Sequence, residues 1–111
     1  MMELTSKQRK VLEKAAHSLE PVVIVGQNGV TESLVDMTKE QLKQHELIKV
    51  KFNEFKDEKQ SLSLQLAQDC DATLVRIIGN IAIMYRESED EEKQQFVKAL
   101  ARAAAKSGAK V

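Results

Sequence analysis

A chain of 111 residues, 42% of them hydrophobic, has apolar surface for one core and hence for one domain. Its 17 basic and 17 acidic side chains cancel to a formal net charge of zero, so affinity for a polyanion must come from where the charges sit and not from their total. The single cysteine, Cys70, excludes an internal disulfide, and its apolar neighbours point to a buried thiol in a reducing compartment. The first residues, Met1-Met2-Glu3-Leu4, do not form a basic region followed by an apolar stretch, and nowhere do roughly 18 apolar residues run together. The expectation is a soluble, cytoplasmic protein without a membrane partner.

In chain order, Thr5-Ser6-Lys7-Gln8 fits a capping box, and Val11, Leu12, Ala15, Ala16 and Leu19 recur at helical spacing. This first helix should end near Ser18, because Pro21 disfavours the α conformation at Glu20. The apolar run from Pro21 to Val25 predicts a strand buried on both faces, with the proline at its first residue, where a missing donor does no harm. Thr31 should cap a second helix with a core stripe of Leu34, Met37 and Leu42. Ile48, Val50 and Phe52 alternate with Lys49 and Lys51, which predicts a strand with one face inward and both lysines outward. A third helix is expected over about Asp57 to Asp69, with Leu62, Leu66 and Cys70 on one stripe. Thr73 to Ile78 and Ile81 to Arg86 read as a hairpin turning at Gly79-Asn80. Ser88-Glu89-Asp90-Glu91 resembles a capping box leading into an alanine-rich helix to about Lys106, which should pack on the domain through Phe96, Val97, Leu100 and Ala104.

The predicted order is therefore α-β-α-β-α-β-β-α, with one parallel pair and a closing antiparallel hairpin. The economical architecture is a two-layer α/β (α+β) fold, a four-stranded mixed sheet packed with helices.

The run Val25-Gly26-Gln27-Asn28-Gly29-Val30-Thr31 carries the sharpest functional signal. A strand stops at a Gly-x-x-Gly turn that opens a helix, which directs backbone N–H groups to a place where an anion can settle. Without a Cβ, Gly26 and Gly29 tolerate positive φ and admit a phosphate-bearing backbone. The run lacks the Lys-Ser/Thr ending of a P-loop and the third glycine of a dinucleotide fingerprint, so no nucleotide cofactor is implied. A clamp of the KH type needs only such a turn with basic residues nearby. On a helical wheel, Lys7, Lys10, Lys14 and His17 share one sector, while Arg9 and Glu13 lie elsewhere. This basic ridge and the loop could meet one strand of phosphates, with Lys49, Lys51, Arg76 and Arg86 as extensions.

The blocks Leu4–Arg9, Ala16–Val23, Val25–Thr31, His45–Val50 and Ile78-Gly79 with Tyr85-Arg86 together resemble the YhbY family, bacterial single-domain members of the CRM group, named for chloroplast RNA splicing and ribosome maturation. The resemblance implies an RNA-binding domain over residues 1–87, with 88–111 as a helical extension of the same domain. It also implies a fold similar to the C-terminal domain of translation initiation factor three, and a role at precursors of the large ribosomal subunit. The family's loop maps onto Gly26, Gln27, Asn28 and Gly29, and its basic surface onto Lys7, Lys10, Lys14 and Lys49.

Two features depart from that pattern. Gln27-Asn28 carries no positive charge, and Glu87, Glu89, Asp90, Glu91 and Glu92 form an acidic cluster where a basic tail is expected. Catalysis finds no support. His45-Glu46 begins like a zinc-protease motif, but Lys49 stands where the second histidine is needed. Asp69-Cys70-Asp71 reads as a helix end, and neither histidine has a nucleophile partner. The expectation is a monomeric, non-enzymatic RNA binder with no metal, cofactor or small-molecule substrate. The alternative is an adaptor that docks a ribosomal protein, or a second copy of itself, through the acidic segment and the last helix.

Overall fold

The computed structural model describes residues 3–108, so Met1, Met2 and residues 109–111 of the expected extension lie outside the described residues. The elements are α1 (Ser6–Ala16), β1 (Val23–Val25), α2 (Glu32–His45), β2 (Leu47–Phe52), α3 (Lys59–Asp69), β3 (Thr73–Ile78), β4 (Ile81–Tyr85) and α4 (Val97–Gly108), with 3-10 turns at Lys56–Glu58 and Glu91–Lys93. The four strands lie in the order β1-β2-β4-β3. β1 pairs parallel with β2, and α2 makes the crossover between them; β4 runs antiparallel to both β2 and β3. Class, element order and mixed sheet agree with the expectation, and α3 begins two residues later than expected, behind its 3-10 turn.

Strand alternation divides the interior in two. Ile48, Val50 and Phe52 of β2 join Ala82 and Met84 of β4 against Leu34 and Leu42 of α2 and Leu66 and Ala67 of α3. From the opposite face, Leu47, Ile83 and Tyr85 meet Leu12 and Ala16 of α1 and Leu100 of α4, with Val75 of β3. Helices thus lie on both faces, one layer more than expected. β2 is buried on both sides at Leu47 and Ile48, because α1 and α4 cover that part of its second face.

Three further expectations are corrected. The Pro21–Val25 run gives a strand of three residues at the sheet edge, where Ile24 is 52% exposed while Val23 and Val25 are buried, so it is buried on one face only. In α2 the core stripe runs through Leu34, Thr38 and Leu42, leaving Met37 50% exposed. Thr38 is tolerated inside because its hydroxyl donates to Leu34 O at 2.7 Å. The Ser88–Glu91 capping box starts no α-helix, only the 3-10 turn at Glu91–Lys93, where the Asp90 side chain accepts Glu92 N–H. Glu46 is buried just after α2, and its carboxylate oxygens accept the Ser88 and Gln95 backbone N–H groups, both at 2.6 Å. With both amides so held, the connection stays irregular and α4 begins only at Val97.

The hydroxyl of Tyr85 is buried with no hydrogen-bond partner among the described residues. Burial, then the charges of Glu46 and Glu87, raise its pKa. Folded Tyr85 keeps its proton where the unfolded residue, with a pKa near ~10, loses it. This contribution to stability is full below that pH and falls as pH rises above it. Tyr85→Phe should reduce the alkaline fall and stabilise the fold at neutral pH by about 1 kcal/mol, since no unpartnered hydroxyl is then desolvated. Urea melts near neutral pH and above pH ~10 measure both effects, and a lower midpoint for the variant at neutral pH would contradict the assignment.

Candidate nucleic-acid interface

The Gly26 loop hangs from the end of β1. Val25 O accepts the Asn53 and Glu54 N–H groups at 3.0 and 3.3 Å, so the chain leaving β2 braces the loop's entry. The loop closes on itself as Gly29 N–H donates to Gly26 O at 3.0 Å. Thr31 then caps α2, its hydroxyl accepting Leu34 N–H at 3.1 Å. The two glycines differ in what requires them. Gly29 has φ +69, and a Cβ there would stand 3.3 Å from Phe55 Cε2. Gly26 lies outside the left-handed region, and a Cβ there would meet nothing within 4 Å. Of the two glycines that tolerate positive φ, Gly29 uses it, and Gly26 leaves its backbone open to solvent-side approach. Gln27 and Asn28 between them are exposed.

On α1 the flanks are divided by partner. Gln8 Nε2 donates to Leu100 O of α4 at 3.1 Å. Arg9 Nε donates to Val75 O at 2.7 Å, and Glu13 pairs with Arg76 at 3.2 Å, both toward β3. The remaining sector, Lys7, Lys10, Lys14 and His17, faces solvent. Lys7 shares a shallow groove with Arg102 of α4, a cation that sequence reading did not assign to the ridge because it needs the α1–α4 packing to arrive there.

Other expected extensions are distributed differently. Lys49 Nζ donates to Leu19 O at 2.9 Å and His17 O at 3.4 Å, tying β2 to the turn that follows α1. Because Val22 N–H donates to Lys49 O at 3.1 Å, that end of the ridge lies on the β1 edge of the sheet. Gly26 follows four residues along the same edge, about 13 Å away at ~3.3 Å per residue. Lys51 is exposed opposite Ile24, near the loop. Arg76 is held by Glu13. Arg86 stands at the other end of β4, its guanidinium donating to Cys70 O at 3.3 Å, in a cleft with Asp36, Lys39, Lys43 and Glu89. The structure thus brings the His17 end of the ridge, Lys49 and Lys51 to the β1 edge that leads into the loop, and leaves Arg86 apart.

Phe55 is the site residue that sequence reading missed. It projects beside Gly29 from the polar run Asn53-Glu54-Phe55-Lys56-Asp57-Glu58, and an aromatic alone in such a run was the available signal. Cys70 is buried, as expected, with its thiol 3.7 Å from Val35 O, and burial pushes its pKa up, which disfavours the reactive thiolate. Among the described residues no group of three or more His, Cys, Asp or Glu side chains could hold a metal ion, and no helix is long and apolar enough to cross a membrane.

Residues 4–86 match the CRS1 / YhbY (CRM) domain. The chain belongs to that family. Similar CRM-family relatives include a Haemophilus influenzae protein named "RNA-binding protein", 38% identical over 95 residues that make up 85% of this chain and 96% of that one. A Pseudomonas aeruginosa protein named "Probable RNA-binding protein" is 37% identical over 93 residues, covering 83% and 89% of the two chains. The fold is similar to the solution structure of a hypothetical protein from Staphylococcus aureus, with TM-score 0.70 and 33% identity over 84% of this chain and 98% of that one. The span matched by the domain ends at Arg86, just before the connection that Glu46 holds.

The contrast between the glycines is measurable. Gly29→Ala should destabilise the fold by roughly 1–2 kcal/mol through its left-handed backbone and the Phe55 contact. Gly26→Ala should change stability by less than about 0.5 kcal/mol. Paired denaturant melts decide this, and equal losses at both positions would refute it.

Proposed function

We propose that this protein binds RNA through the Gly26–Gly29 loop and the α1 ridge, that its RNA is ribosomal, and that it acts in assembly of the large ribosomal subunit. The observation that carries the reading is the state of the ridge cations. Among the described residues the one ion pair is Arg76–Glu13, so Lys7, Lys10 and Lys14 are exposed and unpaired although the chain is neutral overall. Cations left without carboxylates gain most from phosphates, because binding there releases the RNA's condensed counterions. The uncharged loop offers main-chain N–H groups and the amides of Gln27 and Asn28, which suit phosphate and sugar contacts without reading sequence. Names carried by the relatives, and the resemblance to ribosome-maturation proteins, support RNA and ribosomal RNA as the partner. The same reading makes the protein a cytoplasmic monomer that binds and positions without a catalytic step.

The adaptor reading is less favoured. The apolar side of α4, with Leu100 and Ala103 buried, is spent on α1 and the sheet, which leaves little of it for a partner.

Fluorescence-anisotropy titrations of ribosomal RNA fragments at several salt concentrations test the proposal. Wild-type affinity should fall linearly in log salt, and Gln27→Asp with Asn28→Asp should weaken binding. Lys10→Glu with Lys14→Glu should weaken it further and flatten the salt slope by about 0.7 for each single-strand phosphate that is no longer neutralised. Affinity that ignores both salt and these charge reversals would sink the reading.

A further inference from the structure

Of the aromatic side chains, Phe52 and Tyr85 are each 1% exposed, and Phe96 packs edge-on against Tyr85 at 6.0 Å between ring centroids. Phe55 alone holds its ring out, 42% exposed. Its backbone is also left-handed, at φ 56 and ψ 37, a conformation unfavourable for a bulky L residue. The other two left-handed non-glycines have internal reasons. Glu46 sits there to place its buried carboxylate, and Asp71 is a short polar residue just after α3, where such a turn is common. Phe55 opens the 3-10 turn, its carbonyl accepting Glu58 N–H at 3.1 Å, but a small or polar residue would serve that turn with less strain. What its conformation achieves is contact with the loop, with Cε2 and Cζ lying 3.3 and 3.5 Å from where a Gly29 Cβ would stand. Strain kept at a ring that stays 42% exposed, beside the Gly26–Gly29 loop, points to a ligand.

The surroundings narrow the ligand. Asn53, Glu54, Lys56, Asp57 and Glu58 line a groove with the ring. Three carboxylates against one lysine repel phosphate, so the ring's occupant is a base and not the RNA backbone. A flat apolar ring stacks on the face of any base. Carboxylates beside it accept hydrogen bonds from exocyclic amino groups, as acidic side chains do from cytosine N4. We propose that Phe55 is a stacking platform for one unpaired RNA base next to the Gly26–Gly29 loop, and that Glu54, Asp57 and Glu58 favour a base bearing an exocyclic amino group over uracil. This rests on the RNA-binding reading and adds a base site to its phosphate site.

Anisotropy titrations with oligocytidine and oligouridine RNA of equal length test it on wild type, Phe55→Leu and Phe55→Trp, with thermal melts of each protein. Wild type should prefer oligocytidine. Phe55→Leu should lose roughly five- to hundred-fold in affinity, Phe55→Trp should retain it, and the salt slope should not change, because stacking releases no counterions. In wild-type protein, the Phe55 ring-proton resonances should move upfield on adding oligocytidine, a readout that needs no variant. Unmoved resonances, or equal binding by Phe55→Leu while Lys10→Glu with Lys14→Glu loses binding, would overturn the base site and leave the phosphate site standing. Equal affinity of wild type for the two oligomers would overturn the amino-group preference. Absence of binding by wild type to these oligomers and to ribosomal RNA would overturn the RNA-binding reading and this inference with it.

Discussion

The central antiparallel pair, β2 with β4, governs the rest of the molecule. Its side chains alternate between two interiors, Ile48, Val50, Ala82 and Met84 on one side and Leu47, Ile83 and Tyr85 on the other. Since the side-chain period is two, a slip of one residue would exchange the two sets, placing Lys49 and Lys51 in the α2–α3 core. Register therefore determines which helices lie on which face. It also determines where β1 ends and where the Gly26 loop leaves the sheet.

Signals that act over a few residues were legible in the sequence. The Thr5–Gln8 capping box forms with both reciprocal bonds, Thr31 caps α2, and Gly79 turns the hairpin with φ +60. Each is a contest decided by neighbours in the chain. Two of the failures involve a distant part of the fold. Ser88-Glu89-Asp90-Glu91 has the composition of a helix start, but Glu46, more than 40 residues earlier, takes the Ser88 and Gln95 amides. The β1 run is apolar enough for a central strand, yet position in a sheet is not written in a single strand's pattern, and β1 falls at the edge. Met37 and Thr38 differ by one step on the wheel; helix spacing from Leu34 and Leu42 selects the threonine, and a bond to Leu34 O makes its burial tolerable.

The interface was legible to a similar degree. Solvent exposure of Lys7, Lys10 and Lys14 follows from helical periodicity alone. The fate of single cations does not, because it depends on contacts across the fold: Lys49 holds the turn after α1, Arg76 meets Glu13, and Arg86 turns to the Cys70 carbonyl. The bulge between Leu74 and Arg76 is part of this redistribution, since it lets Val75 enter the core while Arg76, paired with Ile83, reaches α1. Phe55 escaped notice for a related reason. Its significance lies in a left-handed turn and a glycine 26 positions away in the chain, neither visible in the local pattern.

Cys70, the one thiol of the chain, is sealed behind α2 and α3 with its proton held more tightly than usual. The surface is therefore blank to thiol-directed reagents. A cysteine engineered into an exposed position such as Asn28 or Lys14 would become the sole accessible attachment point for a dye or crosslinker. The native thiol could stay in place, so the packing of the α2–α3 core would remain undisturbed while the opposite edge of the sheet is mapped.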